Sequence, residues 1–177
     1  IKALEVGDPP LFQQYVRDKR HVDGIRFFAS ESGRYPLTGR GRIKTDSIFA
    51  EMWRSLTAPS GQSGAIVPTG IATDATTQFF FRDLVQSDSL TSLYDFENRA
   101  GFFPAVHSST KFCLLTMSGR GRHSPAATFA FFLNEPGQIS ERPFALTSGE
   151  IALLNPNTGT CPVFRTRRDA ETSLAAA

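Results

Sequence analysis

Cysteine, histidine, long apolar runs and charge of one sign are all scarce in this 177-residue chain, and each scarcity excludes a class of function. The two cysteines, Cys113 and Cys161, lie far apart with no ligand-like spacing, and Cys113 sits inside an apolar run. Buried free thiols are therefore predicted, not a disulfide scaffold or a thiolate metal site. His107 and His123 have no carboxylate or second histidine at ligand spacing, so no metal is predicted. No Ser-His-Asp order or Gly-x-Ser-x-Gly elbow appears, which disfavours hydrolysis by a nucleophilic serine. Asp95 and Glu97 lack the further carboxylate and lysine that a metal-dependent nuclease arranges around its ion. No apolar run reaches the roughly 18 residues that cross a bilayer, and Ile1-Lys2-Ala3-Leu4-Glu5 has no signal-peptide pattern, so a cytoplasmic chain without membrane contact is expected. With 19 cationic against 17 anionic residues, bulk charge does not define a nucleic-acid binder, and local clusters must carry any such argument.

What is abundant is phenylalanine, 16 residues in a chain that is 40% hydrophobic, enough for the core of one medium domain. The absence of an initial Met and the ending Ala175-Ala176-Ala177 read as a piece of a longer polypeptide. Apolar spacing from Leu11 to Phe28 predicts a peripheral helix or pair of helices, opening at Asp8-Pro9-Pro10-Leu11. Residues 31–44 form a Gly- and Arg-rich connector. Thr45 or Asp46 then caps a helix whose face Ile48, Phe49, Met52, Trp53 and Leu56 is expected to pack on a sheet. Ala65-Ile66-Val67 has no alternation and reads as a central parallel strand buried on both faces, ended by Pro68. Thr73 or Asp74 caps a second helix with Phe80, Phe81, Leu84 and Val85 turned inward, completing a right-handed crossover to the strand at Leu90–Phe96. No helical period separates that strand from Lys111–Met117, so the two should pair antiparallel. Ala127–Leu133 is a further strand, and Thr147-Ser148-Gly149-Glu150 a capping box. Three regions follow: a helical segment and connector over 1–44, an α/β unit over 45–133, and a connector over 134–177.

The blocks Gly64-Ala65-Ile66-Val67-Pro68-Thr69-Gly70-Ile71-Ala72-Thr73-Asp74, Leu93-Tyr94-Asp95-Phe96-Glu97-Asn98-Arg99, Gly101-Phe102-Phe103-Pro104 and Lys111-Phe112-Cys113-Leu114-Leu115 resemble, in order, the adenine-specific DNA N6-methyltransferase region of large restriction-modification enzymes. Ser32–Leu37, Ile48–Glu51 and Leu153–Thr158 extend the resemblance over residues 30–170. It implies a partial Rossmann-like, class I methyltransferase sheet carrying the last parallel crossover and the terminal antiparallel hairpin. It also implies a parent that transfers a methyl group from S-adenosylmethionine to adenine in double-stranded DNA, alongside nuclease, helicase or specificity parts. The family's cofactor-cradling Gly-rich loop and its Asn-Pro-Pro-aromatic motif are not in this sequence. The fragment alone is therefore expected to bind no cofactor and to be inactive.

By the same resemblance Phe103, with Phe102 beside it, would stack on a flipped adenine, because a base inside the duplex cannot be reached. As sequence alone, both are equally phenylalanines of a core. Arg34, Arg40, Arg42 and Lys44 offer charge to the DNA backbone, as do Arg120 and Arg122 in the recurring string Gly-Arg-Gly-Arg, and Lys111 at the start of a strand. Solvated loops and an edge lysine that discourages strand pairing are the alternatives. A non-catalytic DNA-contacting or subunit-docking module is the competing function. Self-association through an uncovered strand edge is a further expectation.

Overall fold

Two parallel strands are held apart by an antiparallel one in this computed structural model, which describes residues 1–176. The strands are β1 (Gln62–Pro68), β2 (Leu90–Glu97), β3 (Lys111–Ser118), β4 (Ala126–Leu133) and β5 (Phe144–Thr147), in the sheet order β1-β3-β2-β4-β5. β1 and β2 each pair antiparallel with β3 and so run parallel to each other without touching. β4 pairs parallel with β2, and β5 antiparallel with β4. The result is a mixed, partly parallel α/β sheet with flanking helices. The expected β2–β3 hairpin is present, and β3 inserts between the two strands of the crossover.

The position of β1 corrects one expectation. It was expected at the centre, buried on both faces, yet it is an edge strand whose only partner among the described residues is β3, and Ile66 is 58% exposed. An apolar run reports what the chain can bury, and among the described residues nothing covers the Ile66 side of β1.

Helix α1 (Lys2–Gly7) leads into α2 (Pro9–Glu31), which starts where Asp8 accepts the Leu11 N–H at 3.1 Å. Prolines 9 and 10 fit because the first helical N–H groups need no intrahelical acceptor. Only Ala29 of α2 is buried, so the helix is a peripheral arm. In α3 (Thr45–Leu56) the inward face is the reverse of the one predicted. Ser47, Ala50, Glu51 and Arg54 are buried, while Phe49, Trp53 and Leu56 are exposed. Polar anchoring decides this orientation. Glu51 accepts from Leu37 N–H (3.2 Å), Thr38 N–H (2.9 Å) and the Thr38 hydroxyl (2.6 Å), and Arg54 binds Asp83 and, at 2.8 Å, the Ser87 hydroxyl. Buried polar groups that find such partners avoid the cost of desolvation.

After β1, α4 (Gly70–Thr73) forms one short turn, and α5 (Gln78–Gln86) has its N-cap at Thr77, three or four residues later than predicted. Phe80, Phe81, Leu84 and Val85 are buried as their spacing requires. They pack on Val67, Leu93, Cys113, Leu115, Met117, Phe129 and Phe131 from one face of the sheet. Each such side chain stabilises the fold by about 1.5–3 kcal/mol relative to exposure. The other face holds a smaller cluster around Phe96, Ala130 and Leu133, with Phe112 and Leu114 at its border.

β5 extends the same sheet, and the chain after it, through α7 (Ser148–Leu154) and α8 (Arg167–Leu174), adds Ile151, Cys161 and Ala170 to the main core beside Leu146 of β5. The Thr147–Glu150 capping box forms, and a second, Thr166–Asp169, starts α8. α6 (Gln138–Glu141) covers the end of β4. Both cysteines are buried and free.

Candidate nucleic-acid interface

Strand direction gathers the chemistry at one end of the sheet. β1, β2 and β4 all finish there and β3 begins there, so Thr69, Glu97, Lys111 and Asn134 emerge together. The loop from Asn98 to Thr110 joins β2 to β3 at this end and carries Phe102 and Phe103.

Asn98 builds that loop. It is 2% exposed, its Nδ2 donates to the carbonyls of Phe103 (3.0 Å) and Val106 (2.9 Å), and its Oδ1 accepts the Phe103 N–H at 3.0 Å. Gly101 turns the chain at φ 71°, in the left-handed region open to glycine. Phe102 and Phe103 each meet Phe112 edge-on, with ring centres 5.7 and 5.1 Å away, and Phe112 stacks on Phe96 at 5.4 Å. Both loop phenylalanines remain 38% exposed. They are neither core residues nor free side chains: one edge is fixed and part of each ring is open to solvent.

Beside this loop, β4 bulges. Tyr94 pairs with Ala130 but Phe96 with Leu133, so Phe131 and Phe132 together oppose Asp95. Phe132 takes φ 59°, a conformation that costs a bulky residue about 1–2 kcal/mol, and such strain tends to collect at working sites. Its N–H donates to Asp95 Oδ2 at 3.5 Å, and Asp95 Oδ1 accepts from the Thr69 hydroxyl at 2.6 Å. Asp95 is 2% exposed, and burial raises its carboxyl above the usual carboxylate range. The Phe132 ring carries two cations: Lys111 Nζ lies 4.9 Å from its centre and the Arg165 guanidinium 4.6 Å.

The remaining cations divide between places. Lys44 binds Asp74 at 2.6 Å, and Arg40 donates through Nε to the Pro36 carbonyl at 2.6 Å while covering Phe79. Arg42 is exposed. Arg120 and Arg122 follow β3 and therefore lie at the opposite end of the sheet from Phe103, about 25 Å away by strand rise. Arg34 and Arg120 share a cleft with the buried Arg54, whose guanidinium is pulled down to about 10, first by burial and then by the charge of Arg120. The two Gly-Arg-Gly-Arg strings are packed, not loose. A Cβ on Gly39 would stand 2.1 Å from the Ala29 carbonyl oxygen, and one on Gly119 1.9 Å from that of Ala58.

Asn98, Phe132 and Arg165 are absent from the predicted set. Asn98 was detectable as a polar residue closing a strand three positions before a Gly-Phe-Phe-Pro turn. Arg165 carried no local signal, since it reaches the site from a segment without regular structure.

Among the described residues no group of three His, Cys, Asp or Glu is placed to hold a metal, and no helix is long and apolar enough to cross a membrane. No protein-family model matches the chain, and no curated protein matches its sequence. Two restriction-modification proteins are among the solved structures similar in fold. One is the type IIG restriction endonuclease BpuSI, at 15% identity and TM-score 0.53, over 71% of this chain and 16% of that one. The other is the methyltransferase subunit of a type I restriction-modification system from Streptococcus thermophilus, at 12% identity and TM-score 0.52, over 76% of this chain and 33% of that one. This chain spans a third or less of either, and the likeness is one of fold.

Proposed function

We propose that the chain is the terminal part of a Rossmann-like DNA methyltransferase sheet in a restriction-modification system, whose parent methylates adenine N6. The observation that carries this reading is the Asn98-anchored loop, which presents two half-exposed phenylalanines where the parallel strands end. A flipped base needs such a rigid aromatic wall, and stacking on it is worth about 1–3 kcal/mol. The sheet order β1-β3-β2 and the two fold relatives support the same assignment.

The residues of this chain do not fit S-adenosylmethionine. At the end of β1 the polar groups are committed to one another, Thr69 to Asp95 and Lys44 to Asp74, leaving no cradle for the cofactor's charged amino-acid end. The cofactor and the group holding the target amine belong, in this reading, to other polypeptide of the parent. Calorimetry should show no binding of S-adenosylmethionine to this chain; micromolar affinity would contradict the division of labour. The Phe103→Ala variant should bind oligodeoxyadenylate about tenfold more weakly with little change in unfolding free energy.

A docking role has its own support. The unpaired edge of β1 and the exposed Phe49, Trp53 and Leu56 of α3 form an apolar border that a further strand and helix would cover.

A further inference from the structure

Lys111 and Arg165 make no ion pair or side-chain hydrogen bond among the described residues, yet both are drawn onto one aromatic ring. Two like charges converge there without a carboxylate to hold them. The nearest acidic group in the same cleft, Glu97, is engaged by Arg99 Nε at 2.8 Å. The cleft is open, about 400 Å³, and lined by Glu97, Arg99, Lys111, Phe132, Asn134 and Arg165. Three cations thus face one anion across a strained residue. Asp95, under the Phe132 backbone, is the other facing carboxyl, and its burial favours the uncharged form.

The geometry points to a phosphate-binding site over Phe132, formed by Lys111 and Arg165, that takes a backbone phosphodiester of a nucleic-acid strand. Arginine supplies a planar fork for two phosphate oxygens, and lysine a point charge. The phosphate source rests on the proposed function and extends it. Chain continuity links the two sites, because the aromatic loop leaves β2 past Glu97 and Arg99 and returns through Lys111. Lys111 and Phe112 point to opposite faces of β3, so a strand crossing this end of the sheet would set a base against Phe102 and Phe103 and a phosphate against Lys111.

The test is the salt dependence of oligodeoxyadenylate binding by the full chain and by Lys111→Met, Arg165→Gln and the double variant, with Arg17→Gln on the exposed α2 as control. Both target side chains are exposed, and circular dichroism melts check that each variant folds. Each single variant should make the log–log slope shallower by about 0.7, additively in the double variant, with no change in the control. Unchanged slopes overturn the site. A Phe103→Ala variant of normal affinity alongside reduced slopes would refute the base wall and leave the phosphate site standing. If the chain binds no oligonucleotide, inorganic phosphate titrated into ¹⁵N-labelled protein decides the matter. Amide shifts centred on Lys111, Phe132 and Arg165, lost in the double variant, would keep the site and reject a nucleic-acid source; their absence would reject both.

Discussion

Asn98 closes a loop with one amide where other proteins use a metal or a disulfide. Its removal leaves two carbonyls and one N–H without partners, so Asn98→Ala should lower the unfolding free energy by about 2–3 kcal/mol in urea melts and broaden the amide signals of residues 101–106. Glu150 gives a second residue-scale prediction, with a defined pH window. Its carboxyl is lowered from 4.5 to about 2, first by the hydrogen bond from Arg167 and then by the Thr147 N–H. A lowered carboxylate stabilises the fold above its unfolded value and loses that contribution as pH falls toward the folded one. The melting temperature of the native chain should therefore exceed that of Glu150→Gln at pH 7, with a gap near 1 kcal/mol in free energy that closes between about pH 4.5 and 2. A gap independent of pH would assign the effect to packing.

Elements were legible in the sequence where a single periodicity decided them. The inward face of α5, the β2–β3 pairing, the Asp8 start of α2 and the Thr147–Glu150 box all follow from local spacing. The inward face of α3 was not legible, because its apolar stripe competes with long-range partners: Thr38 for Glu51 and Asp83 for Arg54. The neighbours of β1 were hidden for a related reason, since an apolar run does not say which strand it meets. Of the site, the aromatic loop and the polar position of Asn98 before it were readable, whereas the bonds to Phe103 and Val106 that make Asn98 its anchor were not. The phosphate cleft depends on a bulge that no sequence pattern announced. With an open edge and an exposed Ile66, β1 should drive concentration-dependent association, and Ile66→Lys should suppress it in light scattering.

At the scale of the whole molecule, direction along the sheet separates the charges that composition lumps together. Lys111, Arg165 and the two loop phenylalanines share the end where β1, β2 and β4 finish, whereas Arg120 and Arg122 stand at the other. Residues 144–170 belong to this same body, since they complete its core. A chain truncated at 133 should consequently lose cooperative unfolding. The central claim is that one end of this sheet meets DNA, with an unpaired adenine against the aromatic loop. Chemical-shift mapping of the chain with a duplex carrying one extrahelical adenine tests it most directly. The account predicts shifts centred on residues 98–111, 132–134 and 165, with residues 119–122 silent; shifts confined to 119–122, or none at the aromatic loop, would contradict it.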